Sequence, residues 1–291
     1  MMCTLSLIVE ATEHDLTVKT VLRRRLCLAE SLLRHLKFVP GAVQRNGEAA
    51  RLLDRVEAGD LLTVHLDEKS TGKFAPVSAE LSVLYEDEDL LLVDKAAGMP
   101  MHSGKSSLAG AIAAYLGAET PFHPVQRLDK GTSGVLCIAK SRYLHDRLRR
   151  MLHSDDFRRE YLAIVCGKPS PKAGFVDAPI SKTADAAHRH FVTAEGLPSC
   201  THYETLSSNG ELSLLRLRLD TGRTHQIRVH MAHIGCPLLG DTLYGAADRR
   251  ISRPALHSRT LSLLHPLTGE RLTVSAPVPA DMDALIKQSE L

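Results

Sequence analysis

The spacing of apolar residues most constrains what this chain can fold into. Short apolar runs typical of buried strands recur between residues 90 and 219, and Asn209-Gly210 between two of them predicts a β-hairpin. Strands and helices do not alternate regularly along the sequence, and no internal repeat is present. The pattern therefore predicts an α+β fold with a mixed, antiparallel-rich sheet rather than a doubly wound parallel sheet. The runs are Leu90–Val93, Val135–Ala139, Tyr161–Val165, Thr201–Leu206 and Leu212–Leu219.

The N-terminal residues predict a separate, smaller α+β unit. Apolar residues recur at helical spacing within 18–26 and again within 32–36, and Asn46-Gly47 is a hairpin turn signal after a short strand. A strand at Leu61–Leu66 leads into a polar stretch rich in helix and strand breakers. We therefore expect a small domain over residues 1–66, a linker over 67–79 and a large domain over 80–291.

The net charge of +2 excludes a protein whose whole surface is a polycation for nucleic acid, but the charges are segregated. Residues 17–51 hold eight basic and two acidic residues, whereas residues 52–95 hold four and eleven. Residues 120–160 hold nine basic and five acidic residues, and residues 216–259 hold eight and three. Such patches decide where an anionic partner can bind.

Cysteine spacing and hydropathy indicate the compartment. The six cysteines lie far apart with no C-x-x-C pair, which fits a reduced protein better than a disulfide framework or a zinc ribbon. No apolar run is long enough to span a membrane, and the first residues lack the features of a secretory signal. We expect a cytoplasmic monomer without membrane contact.

The first cluster of polar and special residues runs from Gln126 to Gly134, just before an apolar strand. Taken alone, its Asp, Gly, Thr and Ser residues are those of an ordinary turn. Asp129, however, lies between Arg127 and Lys130, whose charges favour an ionised carboxylate at neutral pH. An ionised, fixed Asp is a candidate nucleophile.

The second cluster runs from Thr221 to Gly235 and includes Arg223, Gln226 and Arg228. Its polar density beside turn-forming residues suits a site that grips a polyanion. The spacing of its three histidines does not match a zinc site on a helix, so we predict no metal. The sequence also lacks a P-loop or a G-x-G-x-x-G motif, so no nucleotide cofactor is expected. The histidines are His225, His230 and His233.

Five separated motifs occur in a fixed order between residues 80 and 280. They are Arg127-Leu128-Asp129, Thr132-Ser133-Gly134, the stretch 222–230, Leu239-Gly240-Asp241 and Tyr244-Gly245. In this order they resemble the RluA-type family of RNA pseudouridine synthases. The N-terminal unit resembles, more weakly, the small αL-type RNA-binding domain that often precedes this catalytic domain.

The resemblance implies an enzyme that isomerises uridine to pseudouridine in RNA without a cofactor. Asp129 matches the family's catalytic aspartate, whose carboxylate attacks either C6 of the base or C1′ of the ribose. Tyr161 matches the tyrosine that stacks on the base and helps to remove the C5 proton, and Arg228 matches the basic residue paired with the aspartate. A stacked uridine must leave the RNA helix to react, and Arg127 matches the arginine that fills its place.

Further RNA contacts are expected in both parts of the chain. In the N-terminal unit, the usual Ser-Arg that opens the second helix is Ala29-Glu30 here, which removes a basic contact and adds an acid, so we expect either weak RNA binding or a purely structural role. In the large domain, Gln126 stands where the family usually has His, so an acid–base role there is excluded because Gln does not titrate. The expected RNA-binding residues are Arg127, Thr132, Arg223, His225 and Gln226, with Arg34, Lys37 and Arg45 in the N-terminal unit.

These motifs favour a site-specific pseudouridine synthase acting on structured RNA, with 23S ribosomal RNA as the leading substrate and transfer RNA as the alternative. A non-catalytic RNA-binding or RNA-folding factor of the same fold is disfavoured because Asp129, Tyr161 and Arg228 are all intact. A carboxylate glycosidase would need a second acid near the nucleophile, and none stands out in the sequence.

Overall fold

The chain divides into two parts. The computed structural model describes residues 2–28, 30–67, 74–102, 104, 106–118 and 120–291. Residues 1–72 with 141–143 form one compact unit, and residues 73–140 with 144–291 form the other. Of the expected linker, residues 68–73 lie outside the described residues. Residues 74–79 form neither helix nor strand, and Val77 donates its N–H to the Gly110 carbonyl at 3.1 Å, so this stretch belongs to the larger unit.

The smaller unit combines two short helices with a four-stranded antiparallel sheet of order β1-β4-β2-β3. Thr17 begins the first helix by accepting the N–H of Thr20 on its side chain. Asn46 and Gly47 both have positive φ, as a two-residue hairpin turn requires. Ala29 lies outside the described residues. The elements are β1 (Met2–Ile8), α1 (Val18–Arg25), α2 (Glu30–Leu36), β2 (Val43–Arg45), β3 (Glu48–Ala49) and β4 (Leu61–Asp67).

The larger unit contains ten strands and four helices among its described residues. None of the helices in the described part of the chain is long and apolar enough to cross a membrane. The elements are β5 (Ser82–Glu86), β6 (Leu90–Lys95), α3 (Leu108–Leu116), β7 (His123–Pro124), β8 (Ser133–Ala139), α4 (Arg142–Met151), β9 (Phe157–Cys166), β10 (Ala173–Asp177), β11 (Cys200–Ser208), β12 (Leu212–Leu219), α5 (Gln226–His233), β13 (Leu256–Leu264), β14 (Arg271–Ser275) and α6 (Ala280–Gln288).

The ten strands form one mixed sheet whose main path is β10-β11-β12-β9-β13-β8-β6-β5. Strand β14 pairs with β13, and β7 pairs with β8. Every described ladder of this sheet is antiparallel except the short parallel contact between β13 and β8. The α+β class and the antiparallel-rich mixed sheet predicted from the sequence are confirmed.

Both faces of the sheet centre are covered, which explains the continuous apolar runs in β6 and β8. Alternate residues of β9 enter two different cores. Tyr161 and Ala163 join one core with Ile112 of α3 and Ile227 of α5. Ile164 joins the other with residues of α6.

Gly134 allows the parallel contact between β8 and β13. It lies opposite Ser258 in the register and has a φ of 111°. A Cβ atom at this position would overlap the Ser258 carbonyl. The backbones can therefore approach only because residue 134 is a glycine, and this contact fixes the start of the strand that follows the Asp129 loop.

We expect Gly134→Ala to destabilise the protein far more than Gly210→Ala. Both glycines have positive φ, but a Cβ at Gly210 meets nothing within 4 Å, so the control measures backbone strain alone, about 1–3 kcal/mol. Gly134→Ala adds the overlap with Ser258 and should exceed that cost by several kcal/mol. Denaturant unfolding of both variants measures the difference, and equal losses would contradict a close approach at Gly134.

Candidate active site

Asp129 lies in the loop between β7 and β8 and faces α5. Its Oδ2 is 3.4 Å from Nη1 of Arg228 and 3.9 Å from Nε2 of His225. About a quarter of the Asp129 side chain stays accessible (28%), whereas that of Arg228 is mostly covered (10%). The carboxylate can therefore meet a ligand while its cationic partner remains enclosed.

Two enclosed cations hold the backbone of the Asp129 loop. Lys95, fully buried at the end of β6, directs its ammonium group to the carbonyls of Ala96, Met99 and Lys130 at 2.9–3.4 Å. Arg253 donates to the Gly131 carbonyl at 3.1 Å. Burial lowers the pKa of Lys95 to about 8, although the charge of Asp129 opposes the shift. Above that pH the neutral amine has only two N–H donors for three carbonyls, so one of these hydrogen bonds is lost.

Arg228 is oriented by a second, fully buried carboxylate. Asp241 accepts from Nε and Nη2 of Arg228, both at 2.8 Å, in a bidentate pair. The Tyr244 ring lies 5.1 Å from the guanidinium carbon. Burial acts to lower the pKa of Arg228, but the bonds and charge of Asp241, with that of Asp129, outweigh it and raise the pKa. The guanidinium is thus permanently charged and presents Nη1 to Asp129.

His225 is the N-cap residue directly before α5, where its φ is 55°, and its side chain faces Asp129. The Tyr244 hydroxyl accepts the His190 N–H at 2.8 Å and lies 3.0 Å from Nδ1 of His225. Because that hydroxyl can give its own proton to Nδ1, the hydrogen-bond pattern assigns the imidazole proton to Nε2, on the Asp129 side. Burial lowers the pKa of His225, so the ring is neutral at pH 7.

Tyr161 lines the same cleft from β9 and is 5% exposed. Burial raises the pKa of its hydroxyl, while the charge of Arg159 and a hydrogen bond with Ser258 act in the opposite direction. The phenol is therefore protonated at neutral pH, and its ring forms part of the cleft wall.

Asp129 stands where a small cleft meets a larger groove. The cleft, about 50 Å³, is lined by charged side chains such as Asp129 and Arg228 and by apolar ones such as Leu219 and Leu256. The groove, about 670 Å³, shares Asp129 and Tyr161 with the cleft. Four arginines and three histidines add positive or protonatable groups along it: Arg127, Arg149, Arg159, Arg223, His102, His145 and His153.

The RNA-binding residues expected near Asp129 differ in their accessibility. Arg127 is exposed, with Nη2 3.4 Å from the Thr224 hydroxyl, and Arg223 is partly exposed. Thr132 borders the cleft but is 3% exposed. Gln226 is also 3% exposed, which corrects its expected role.

The side-chain amide of Gln226 is saturated by protein groups. Its oxygen accepts from the Thr221 hydroxyl and the Arg223 N–H, and its nitrogen donates to the Cys200 carbonyl and the Thr201 hydroxyl. No donor or acceptor is left for RNA. Gln226 instead holds the segment that carries Arg223 and leads to Arg228.

The three basic residues expected to bind RNA in the smaller unit also separate into two kinds. Arg34 and Lys37 are exposed and border a groove of about 720 Å³ within that unit. Arg45 makes ion pairs with Asp60 and Glu57 at 2.6 and 3.7 Å and donates to the Arg55 carbonyl. Arg45 therefore contributes to the unit's own structure.

Of the three histidines in the second cluster, His230 is fully buried with both ring nitrogens in hydrogen bonds. Its Nδ1 lies 2.8 Å from the Thr201 hydroxyl, and its Nε2 lies 2.9 Å from the Ala178 carbonyl. It is a core residue that ties α5 to neighbouring segments.

Sequence reasoning gave no role to two residues on which this geometry depends. Asp241 stood in a recognised motif, but nothing local indicates its long-range pair with Arg228. Lys95 belongs to none of the motifs that the sequence analysis singled out. Its signal was available, because a lysine that ends the apolar run of β6 must have its charge compensated if it is buried.

Comparison with known proteins identifies the family. A family model described as RNA pseudouridylate synthase matches residues 89–233. The uncharacterized RNA pseudouridine synthase YjbO of Bacillus subtilis is 38% identical over 270 residues, covering 90% of this chain and 95% of that protein. The chain belongs to the RNA pseudouridylate synthase family. It is an RluA-type pseudouridine synthase and therefore an isomerase.

Two further proteins are similar to this pseudouridine synthase, one compared by sequence and one by structure. The ribosomal large subunit pseudouridine synthase D of Escherichia coli is 34% identical over 258 residues, covering 80% of this chain and 78% of that protein. The structure of human RNA pseudouridylate synthase domain containing 4 aligns with a TM-score of 0.60 at 26% identity, covering 72% of this chain and 93% of that chain. The similarity extends over most of the larger unit's length.

We expect Asp241→Asn to lower kcat by about 10- to 100-fold, the usual cost of losing a partner that orients an active-site group. The amide would place an NH2 group against the edge of the Arg228 guanidinium. Tritium release from RNA carrying 5-tritiated uridine measures turnover, because the C5 hydrogen leaves in this reaction. The control is Asp248→Asn, a nearby carboxylate paired with Arg250. An unchanged kcat in a folded Asp241→Asn variant would show that Arg228 needs no such support.

Proposed function

We propose that this chain isomerises specific uridines in ribosomal RNA of the large subunit, with Asp129 as the nucleophile. The observation that carries the proposal is the partly accessible Asp129 carboxylate facing Arg228, whose orientation is fixed by Asp241. A nucleophile must be ionised and held in one rotamer, and this arrangement supports both conditions.

The reaction conserves every atom of the uridine. The C1′–N1 bond breaks, a C1′–C5 bond forms, the C5 proton leaves, and N1 gains a proton. Asp129 can add to C6 of the ring or displace the uracil from C1′, and either adduct returns the free carboxylate when it collapses. No cofactor is required by this balance.

Tyr161 is proposed to hold the base against the cleft wall. Because burial raises its pKa, a phenolate that removes the C5 proton at neutral pH is costly. The protonated hydroxyl suits orientation of the ring and of a proton acceptor formed during the reaction, such as the released carboxylate of Asp129. In this proposal Tyr161 acts mainly through its aromatic ring, which holds the base, and does not itself remove the C5 proton.

The target uridine must leave the RNA stack before Asp129 can reach C6 or C1′. The cleft beside Asp129 shares Asp129 and Tyr161 with the larger groove, and the base is proposed to enter from that groove. Arg127 is exposed at this junction, and its planar guanidinium can occupy the space that the base vacates.

Ribosomal RNA is the proposed substrate because relatives named as ribosomal large subunit pseudouridine synthases match most of the chain. The smaller unit, with Arg34 and Lys37 exposed, is proposed to add a weak RNA contact like that of an αL-type domain. Cys137, Cys166, Cys200 and Cys236 form no disulfide, which agrees with a cytoplasmic enzyme. Loss of specific sites in a pseudouridine map of ribosomal RNA from cells lacking this protein tests the substrate, and sites lost only from transfer RNA would replace it.

We expect Asp129→Asn to abolish product formation, by at least about 1,000-fold, while RNA binding stays within a few-fold of wild type. The amide keeps the shape of the side chain but is not a nucleophile. Carbodiimide labelling of pseudouridine with primer extension measures the product, and filter binding measures affinity. Asp155→Asn, at a highly exposed carboxylate, is the control. Turnover by Asp129→Asn close to wild type would remove Asp129 from the mechanism.

We expect Arg127→Ala to lower kcat/KM mainly for a uridine that starts inside a helix. Stacking of a base on a side chain is worth about 1–3 kcal/mol, which corresponds to roughly 5- to 150-fold. On the same uridine in a bulge, the defect should shrink to a few-fold because the stack is already open. Arg149→Ala, in the same groove, should lower kcat/KM by the same factor for the helical and the bulged uridine. An Arg127→Ala defect of the same size on both RNAs would contradict the stacking role.

A further inference from the structure

A group of metal-binding side chains lies on the outer part of the large sheet, apart from the residues around Asp129. Cys200, His202 and Asp220 each direct one ligand atom into a space where all three atoms lie within 4.8 Å of one another. Sγ of Cys200 is 3.7 Å from Nε2 of His202, and that nitrogen is 2.8 Å from Oδ2 of Asp220. All three side chains are at least partly accessible.

The β-ladder determines this convergence. Cys200 and His202 are two residues apart on β11, so both project from the same face of the sheet. Asp220 follows β12 directly, next to the pair Thr201–Leu219, and donates its N–H to the Cys200 carbonyl at 3.3 Å. The three ligand groups therefore stand on a hydrogen-bonded frame rather than on separate mobile loops.

Charged side chains of both signs stand beside the three ligand groups, with an acidic one next to Cys200. Asp177 pairs with Cys200 across the β10–β11 ladder and so projects from the same face, where it can supply a fourth oxygen or further negative charge. His202 is flanked by Phe175 on β10 and by Arg218 on β12. Arg218 pairs with His202 in the ladder and its charge also acts on Asp220, and Arg158 and Arg159 line the same groove as His202 and Asp220.

We propose that Cys200, His202 and Asp220 bind one divalent transition-metal ion of the zinc class. Thiolate, imidazole and carboxylate are the ligands that zinc uses in proteins, and bond lengths of about 2.0–2.3 Å place tetrahedral ligands roughly 3.3–3.7 Å apart. The Cys200–His202 separation already matches this spacing. The shorter His202–Asp220 distance is that of a hydrogen bond, which opens when the ion replaces the proton between the two groups. The thiol proton of Cys200 leaves to solvent on binding.

A second cluster shows why donor chemistry matters. Asp87, Asp89 and His265 also converge, with Nε2 of His265 3.4 Å from Asp87 and 3.9 Å from Asp89. However, Nδ1 of His265 accepts the N–H groups of Leu267 and Thr268, which leaves the ring proton on Nε2. Because Nδ1 already accepts two N–H groups, the Nε2 proton of His265 cannot shift to Nδ1, and Nε2 stays unavailable to a metal. This cluster is therefore a histidine between two carboxylates.

The bound ion would brace the segment that supplies the active site. Asp220 begins the connection from β12 to α5, and the Cys200 carbonyl accepts from Gln226, the first residue of α5. The metal would thereby restrain the stretch that carries Arg223 and His225. Its role is structural, because no ligand reaches the Asp129 cleft.

Cobalt(II) titration of the reduced full-length chain tests the proposal without RNA. We expect one ion per chain, visible d–d bands of tetrahedral intensity and a near-ultraviolet thiolate-to-cobalt charge-transfer band, with zinc displacing the signal. Cys200→Ser should abolish the charge-transfer band and lower the affinity beyond the ~10- to 100-fold cost of losing an outer-shell partner. Cys166→Ser, at another partly exposed free cysteine, should leave both unchanged.

Thermal unfolding with and without zinc provides the second measurement. The wild-type Tm should rise on zinc addition, and His202→Ala and Asp220→Asn should each remove that rise while remaining folded without metal. A charge-transfer band that persists in Cys200→Ser, binding of octahedral cobalt only, or an equal Tm rise in all variants would overturn the site. Since neither measurement uses turnover, failure here leaves the proposed RNA reaction untouched.

Discussion

The ion pair between the enclosed guanidinium of Arg228 and Asp241 is the interaction on which the candidate active site depends. A charge removed from water is stable only if it is paired and hydrogen-bonded, and Asp241 meets that need with two bonds of 2.8 Å. The second carboxylate, Asp129, is more distant at 3.4 Å and partly open to solvent. The short pair therefore holds the cation, and the longer contact can rearrange without leaving Arg228 unpaired.

This arrangement joins segments that lie about a hundred residues apart, and backbone bonds of the central sheet set their spacing. The Leu239 N–H donates to the Ile164 carbonyl of β9, and the Ala255 N–H donates to the Leu239 carbonyl, both at 2.9 Å. The chain leading to Asp241 is thereby fixed beside the strand that carries Tyr161. On the other side, the close approach at Gly134 fixes the Asp129 loop to β13. Site geometry thus follows from sheet register.

Sequence patterns predicted the elements whose apolar residues follow one clear period. Strands β6 and β8 were evident as continuous apolar runs because both of their faces are buried. Strand β10 was missed because it is five residues long with a single buried position, and α3 because its apolar run fits a strand as well as a helix. Helix α5 was recognised only as a polar string, since buried Arg228 and His230 replace apolar residues in it.

The candidate site was predictable only where residues act locally. Asp129 could be inferred from its charged neighbours, whereas Tyr161 and Arg228 depended on family resemblance. The pairing of Arg228 with Asp241 is a long-range contact that residue types alone do not indicate. Gln226 was expected to bind RNA because it lies in the second polar cluster, but its four protein partners are distributed over residues 200–223.

Counting basic residues overestimates the charge available to RNA, since several cations are used inside the protein. Lys95 and Arg253 bind loop carbonyls, Arg228 binds carboxylates, and the nearly buried Arg159 donates to the carbonyls of Leu152, Leu219 and Thr221. The accessible arginines along the groove are Arg127, Arg149 and Arg223. Each phosphate that a cation neutralises releases about one counterion, so the electrostatic part of the binding free energy grows with the number of such contacts. The arginines that line the groove beside Asp129 and remain open to solvent are therefore fewer than the segment counts of basic residues suggest.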